Sequence, residues 1–142
     1  LRIAQRLAHA GFHPDQGAGL VLLGYSGGAE MAFGVADYLQ HLAPVPLRVI
    51  TFCGVFSGNH PLERVSSIGM VVGSRDPVAA FGRIAYPGRS GLLAVSRWGE
   101  ALRRGQVQRR TIAGMGHNGE RGPFAEDYRE PLLAAILSLL AA

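Results

Sequence analysis

Apolar positions recur along this chain in two rhythms. Leu1, Ile3, Ala4, Leu7 and Ala8 follow helical spacing, which predicts an amphipathic helix over residues 1–10, ended near Gly11. After the loop HPDQGAG comes LVLLG, a continuous apolar run of strand length. Such a run predicts a strand buried on both faces, because parallel sheets carry helices on either side. Residues 27–41 return to helical spacing through Ala29, Ala32, Phe33, Ala36 and Leu39, and Pro44 stops them. LRVITFCGVF and SSIGMVVGS are two more apolar, β-branched runs, and QVQRRTIAG alternates as an edge strand would. SGLLAVSRWGEALRRG predicts a helix before that fourth strand. Residues 125–140 predict a last helix, interrupted or restarted at Pro131.

Strands alternating with helices build βαβ units, so the fold class is α/β: a parallel sheet flanked by helices in three layers. At 142 residues the chain is long enough for a single domain with its own core. Its first residue is not methionine and already stands in helical rhythm, so the expectation is one domain that is a fragment of a longer chain.

Composition narrows the chemistry. The charge of +4 comes entirely from arginine, since no lysine occurs. Its densest cluster, Arg103, Arg104, Arg109 and Arg110, lacks the interleaved aromatics that stack bases, so a solvated surface is expected and no nucleic-acid partner. The single cysteine, Cys53, excludes an internal disulfide and a cysteine-based zinc site; its apolar run predicts a buried, inert thiol. No segment reaches the roughly 18 apolar residues of a membrane span. His9, His13, His41 and His60 show no metal-ligand spacing and are expected at the surface. No metal or cofactor is implied.

One junction stands out. In GYSGG, Ser26 sits between glycines where the first strand becomes a helix. By itself Gly-x-Ser-x-Gly is a weak signal. A nucleophilic serine, however, needs a sharp strand-to-helix turn with small neighbours, here Gly24, Gly27 and Gly28. The helix N-terminus then aims backbone N–H groups at a developing oxyanion, with the N–H of Gly27 as one donor. A hydroxyl also needs a base, and the base a carboxylate to orient it. Asp76 follows the third strand in VVGSRDP, and His117 follows the fourth in AGMGHNGE, among Gly114, Gly116 and Gly119. Asp76 before Pro77 is equally readable as a turn former alone. All three positions fall at the same edge of one parallel sheet, where open α/β sheets place ligands.

On these residues the chain resembles the α/β-hydrolase superfamily. LVLLGYSGGAEMA is similar to that family's fifth strand, nucleophile elbow and following helix. SIGMVVGSRDPV is similar to its seventh strand with the acid, and RRTIAGMGHNG to its eighth with the histidine loop. The likeness covers nearly the whole chain but only the C-terminal half of the family's fold. It implies that a parent chain supplies the N-terminal half, including the loop that donates the second oxyanion N–H. The short link SGNHPLERVS leaves no room for a cap domain there. What the resemblance implies is a serine esterase or lipase-like hydrolase acting on a small-molecule ester, thioester or related acyl substrate. Catalysis falls to Ser26, Asp76 and His117, with substrate contacts from Tyr25 and from the loop FGRIAYPGRSG, through Phe81, Tyr86 or Arg89. Two other classes compete. One is a non-catalytic binding module of the same fold; the other is a Rossmann-like nucleotide-binding domain, which lacks its G-x-G-x-x-G spacing here.

Overall fold

The computed structural model describes residues 2–89 and 96–142. Four strands, β1 (Leu20–Tyr25), β2 (Leu47–Phe52), β3 (Ser67–Gly73) and β4 (Val107–Ile112), form one sheet in that order. Every pairing is parallel, with Leu20 opposite Leu47, Ile50 opposite Gly69 and Met70 opposite Arg109. Parallel neighbours require crossovers. Helix α2 (Gly28–Leu42) joins β1 to β2, and residues 53–66 join β2 to β3 without a helix. Helices α3 (Pro77–Ala85) and α4 (Arg97–Arg103) lie between β3 and β4, α1 (Arg2–His9) precedes β1, and α5 (Glu126–Leu140) follows β4.

The period of two along each strand divides the core into halves. Leu47 and Val49 of β2, with Ile68, Met70 and Val72 of β3, face α2 and α4, where they meet Ala29, Phe33, Leu39, Trp98 and Ala101. Phe56, Leu62 and Val65 of the helix-free link cover the same side. Ile50, Phe52, Val71 and Ile112 point the other way, onto Leu132 and Leu139 of α5. Phe33 packs against Phe56 and Trp98 with ring centroids 4.7 and 6.1 Å away. Truncating a fully buried aromatic of this kind costs about 3–5 kcal/mol. Trp98 is therefore a core residue.

The sheet departs from expectation at β1, whose Val21 and Leu23 are exposed rather than buried. Helix α5 lies over β3 and β4, which leaves the second face of β1 open at Val21 and Leu23. The loop expected after Asp76 is instead helix α3: Asp76 accepts the N–H of Ala79 as N-cap, and Pro77 occupies the first turn. That pairing is a helix start, because proline's missing N–H would have had no partner there in any case. Helix α5 also runs unbroken through Pro131. The bond that Pro131 cannot make leaves only the carbonyl of Asp127 free, on an exposed first turn where water can reach it. Of the helix predicted from SGLLAVSRWGEALRRG, Arg97–Arg103 forms behind the cap Ser96, and residues 90–95 lie outside the described residues.

Candidate functional site

Ser26 ends β1 with φ of 51°, in the left-handed region that side chains with a Cβ avoid. Neighbouring backbone holds it there. The carbonyl of Ser26 accepts from Val55 N at 2.9 Å and Ala29 N at 3.1 Å, and its own N–H reaches Phe52 O at 3.3 Å. Two residues earlier, a Cβ on Gly24 would lie 2.7 Å from Cα of Ala29, so only glycine lets α2 turn back this tightly. Gly27 and Gly28 differ from that expectation, since a Cβ at either meets nothing within 4 Å. Gly27 is the N-cap of α2, and no backbone acceptor takes its N–H among the described residues.

The Asp76 and His117 loops interleave. A Cβ on Gly73 would stand 2.2 Å from the carbonyl oxygen of Met115, so β3 must end in glycine. Arg75 N donates to Met115 O at 3.0 Å, and Gly114 N to Ser74 Oγ at 2.9 Å. Tyr25 Oη donates to the carbonyl of His117 at 2.6 Å, and the Cys53 thiol to that of Gly116 at 3.5 Å. The histidine is thus fastened from three directions before its ring makes any contact.

These fastenings bring three predicted residues into one hydrogen-bonded chain. Ser26 Oγ lies 2.8 Å from His117 Nε2, and His117 Nδ1 lies 3.0 and 3.1 Å from the two oxygens of Asp76. A carboxylate only accepts, so Nδ1 carries the proton and Nε2 is left to accept from the serine hydroxyl. Asp76 is 5% exposed, and its Oδ1 also accepts Ala79 N at 2.9 Å, so cap and histidine share one buried carboxylate. The turn-former reading and the functional reading of Asp76 describe the same atoms.

Tyr25 packs between Phe52 and the ring of His117, each with its centroid 5.5 Å away. Burial, with Cys53 and Asp76 nearby, raises the Tyr25 phenol above its ordinary pKa. Phe124 meets Tyr25 edge-on at 5.0 Å while remaining 60% exposed, which sets an apolar rim beside the histidine. Phe124 was not singled out by sequence reasoning; it carries no motif, and only the fold of the loop after His117 places it. Phe81 and Tyr86 lie on α3 and at its C-cap, exposed, and no hydrogen bond or ring contact joins them to Ser26 or His117 among the described residues. Arg89 is buried instead of presented to solvent. His60 is half-buried beside Glu30, 2.9 Å from its carboxylate, rather than free at the surface. Glu30 also accepts from the N–H and hydroxyl of Ser57, and these bonds hold its pKa low against the opposing effect of burial.

No protein-family model matches the chain, and no curated protein matches it.

Cys53 is the unexpected neighbour. It lies fully buried with φ of 50°, and its sulfur, an Asp76 oxygen and a His117 nitrogen all fall within 4.8 Å of one another. Burial, and then the adjacent Asp76, push the thiol up to about 12. A metal there would need the thiolate and would compete for the carboxylate and Nδ1 that already bind each other. The same three atoms instead suit an inert thiol packed under the histidine loop.

Proposed function

We propose that this chain is a serine hydrolase of the α/β-hydrolase type, cleaving a carboxylic ester, thioester or related acyl bond through an acyl-enzyme. The observation that carries the reading is the chain Ser26–His117–Asp76, with the serine on a left-handed strand-to-helix turn. In this mechanism His117 takes the proton of Ser26 as its oxygen attacks the acyl carbon. Asp76 fixes the tautomer that leaves Nε2 free and stabilises the imidazolium that forms. The N–H of Gly27, at the positive end of α2 and with no backbone acceptor among the described residues, is the proposed donor to the tetrahedral oxyanion. His117 then donates its proton to the leaving group, and water releases the acyl group by the reverse sequence. The exposed ring of Phe124 beside Tyr25 favours an apolar acyl or leaving group near the histidine. Within this reading the four strands are the C-terminal half of the family's sheet, and the free edge of β1 is where further strands would add.

The test is pre-steady-state hydrolysis of p-nitrophenyl acetate by the full chain. A burst of nitrophenol matching the enzyme concentration, absent in Ser26→Ala, is expected. Equal turnover by wild type and Ser26→Ala would remove the serine from the mechanism.

A further inference from the structure

A cavity of about 300 Å³ opens on the far side of Asp76, bounded by α3, α4, β3 and β4. Val107 and Arg109 alternate onto the face of β4 that neighbours Met70 and Val72, while Arg83 stands one helical turn from Ala79 on α3. Trp98 and Leu102, also one turn apart, form the α4 wall.

What distinguishes the cavity is its charge. Arg89 lies in its wall only 8% exposed, with Arg83 and Arg109 exposed at its rim. Among the described residues none of these three guanidiniums forms an ion pair, and Nε of Arg89 has no hydrogen-bond partner. Among the described residues, the Arg89 guanidinium has only a long bond to Gly54 O (3.4 Å) and the face of the Phe56 ring, 3.8 Å from its carbon. Asp76 is the one carboxylate among the described lining residues, and it is committed to His117 and the α3 cap. Glu30 acts on Arg89 only at longer range, being bound to Ser57 and His60. Residues 90–95, SGLLAV, contain no acid that could serve as counterion. Burial, and then Arg83 and Arg109, lower the pKa of Arg89 to about 10, which still leaves it charged at neutral pH. Buried charges are otherwise paired or hydrogen-bonded.

We propose that this cavity binds a small organic phosphomonoester, its phosphate seated among Arg83, Arg89 and Arg109 and its organic part against Trp98, Leu102 and Val72. Guanidinium forks match phosphate oxygens two at a time, and three cations suit a dianion better than a monoanion. The volume fits a small metabolite, and the apolar walls give its carbon skeleton a surface. The cavity shares only Asp76 with the Ser26–His117 chain, and the proposal does not rest on the Ser26 chemistry.

The experiment is calorimetric titration of the full chain with phenyl phosphate, at fixed ionic strength, beside benzoate and benzyl alcohol. Saturable binding of phenyl phosphate is expected, at least tenfold tighter than benzoate, with none for the alcohol. Arg83→Ala/Arg109→Ala alters only exposed residues and should weaken it at least tenfold; Ser26→Ala should leave it unchanged. Absence of saturable binding, undiminished binding by the double variant, or loss of binding in Ser26→Ala would each overturn the proposal.

Discussion

Asp76 and Arg89 are both buried charges, yet their surroundings differ completely. Asp76 accepts from His117 and from the first turn of α3, so each of its carboxylate oxygens has a donor. Arg89 has one long bond, one aromatic face and an Nε with no partner among the described residues. A buried charge with partners supports the structure around it; one without partners strains that structure until something supplies them. The contrast separates a region finished by its own chain from one completed by a ligand.

The widest separation is expected in catalysis. Under the proposed mechanism Asp76→Asn leaves His117 the wrong tautomer and lowers kcat by about 10⁴. Arg89→Met should leave kcat for p-nitrophenyl acetate within about threefold, since Arg89 touches none of the three residues; a parallel collapse would erase the distinction. Stability comes next, measured by urea unfolding without phosphate. Asp76→Ala loses the α3 cap and should cost about 1–2 kcal/mol. Arg89→Met replaces an uncompensated charge with a similar-sized apolar chain and should hold stability or raise it by up to about 1 kcal/mol.

A third comparison uses pH. The folded pKa of Cys53 is raised to about 12, so its neutral form favours the fold. That contribution is whole below the unfolded thiol's pKa of about 8.5 and declines as pH rises from there toward 12. Arg89 has the opposite sign: its folded pKa near 10 lies below the unfolded value, so its deprotonation adds stability above pH 10. Wild type should therefore lose more of its urea midpoint than Cys53→Ala between pH 8.5 and 10, and Arg89→Met should not alter that loss. The smallest effect is expected for Tyr25→Phe, which removes one hydrogen bond to the His117 carbonyl and should lower kcat by less than about tenfold.

Strands β1 to β3 can be read from the chain because each is a dense apolar run, β4 because its residues alternate, and helix α2 because its apolar positions repeat every three or four residues. Ser26, Asp76 and His117 can be found because strand ends, glycines and proline mark the turns that present them. Asp76–Pro77 was harder, since the same dipeptide begins a turn or caps a helix, and only the apolar spacing of VAAFGRIA favours the helix. Burial on one face of β1 could not be read, because an apolar run looks the same whether or not a helix arrives to cover it. Arg89 is expected to contact substrate from a loop; its burial against Phe56, from a link with no periodicity, carries no local signal. Cys53 is buried as its apolar run implies, but its place beneath His117 arises from strand register, which no local motif encodes.

The most direct measurement is covalent labelling of the full chain with a fluorophosphonate, the adduct located by mass spectrometry, with Ser26→Ala and His117→Ala alongside. A single adduct on Ser26, absent from the first variant and formed at least a hundredfold more slowly in the second, is the predicted result. A folded wild-type protein that stays unlabelled, or carries the adduct elsewhere, would contradict the account.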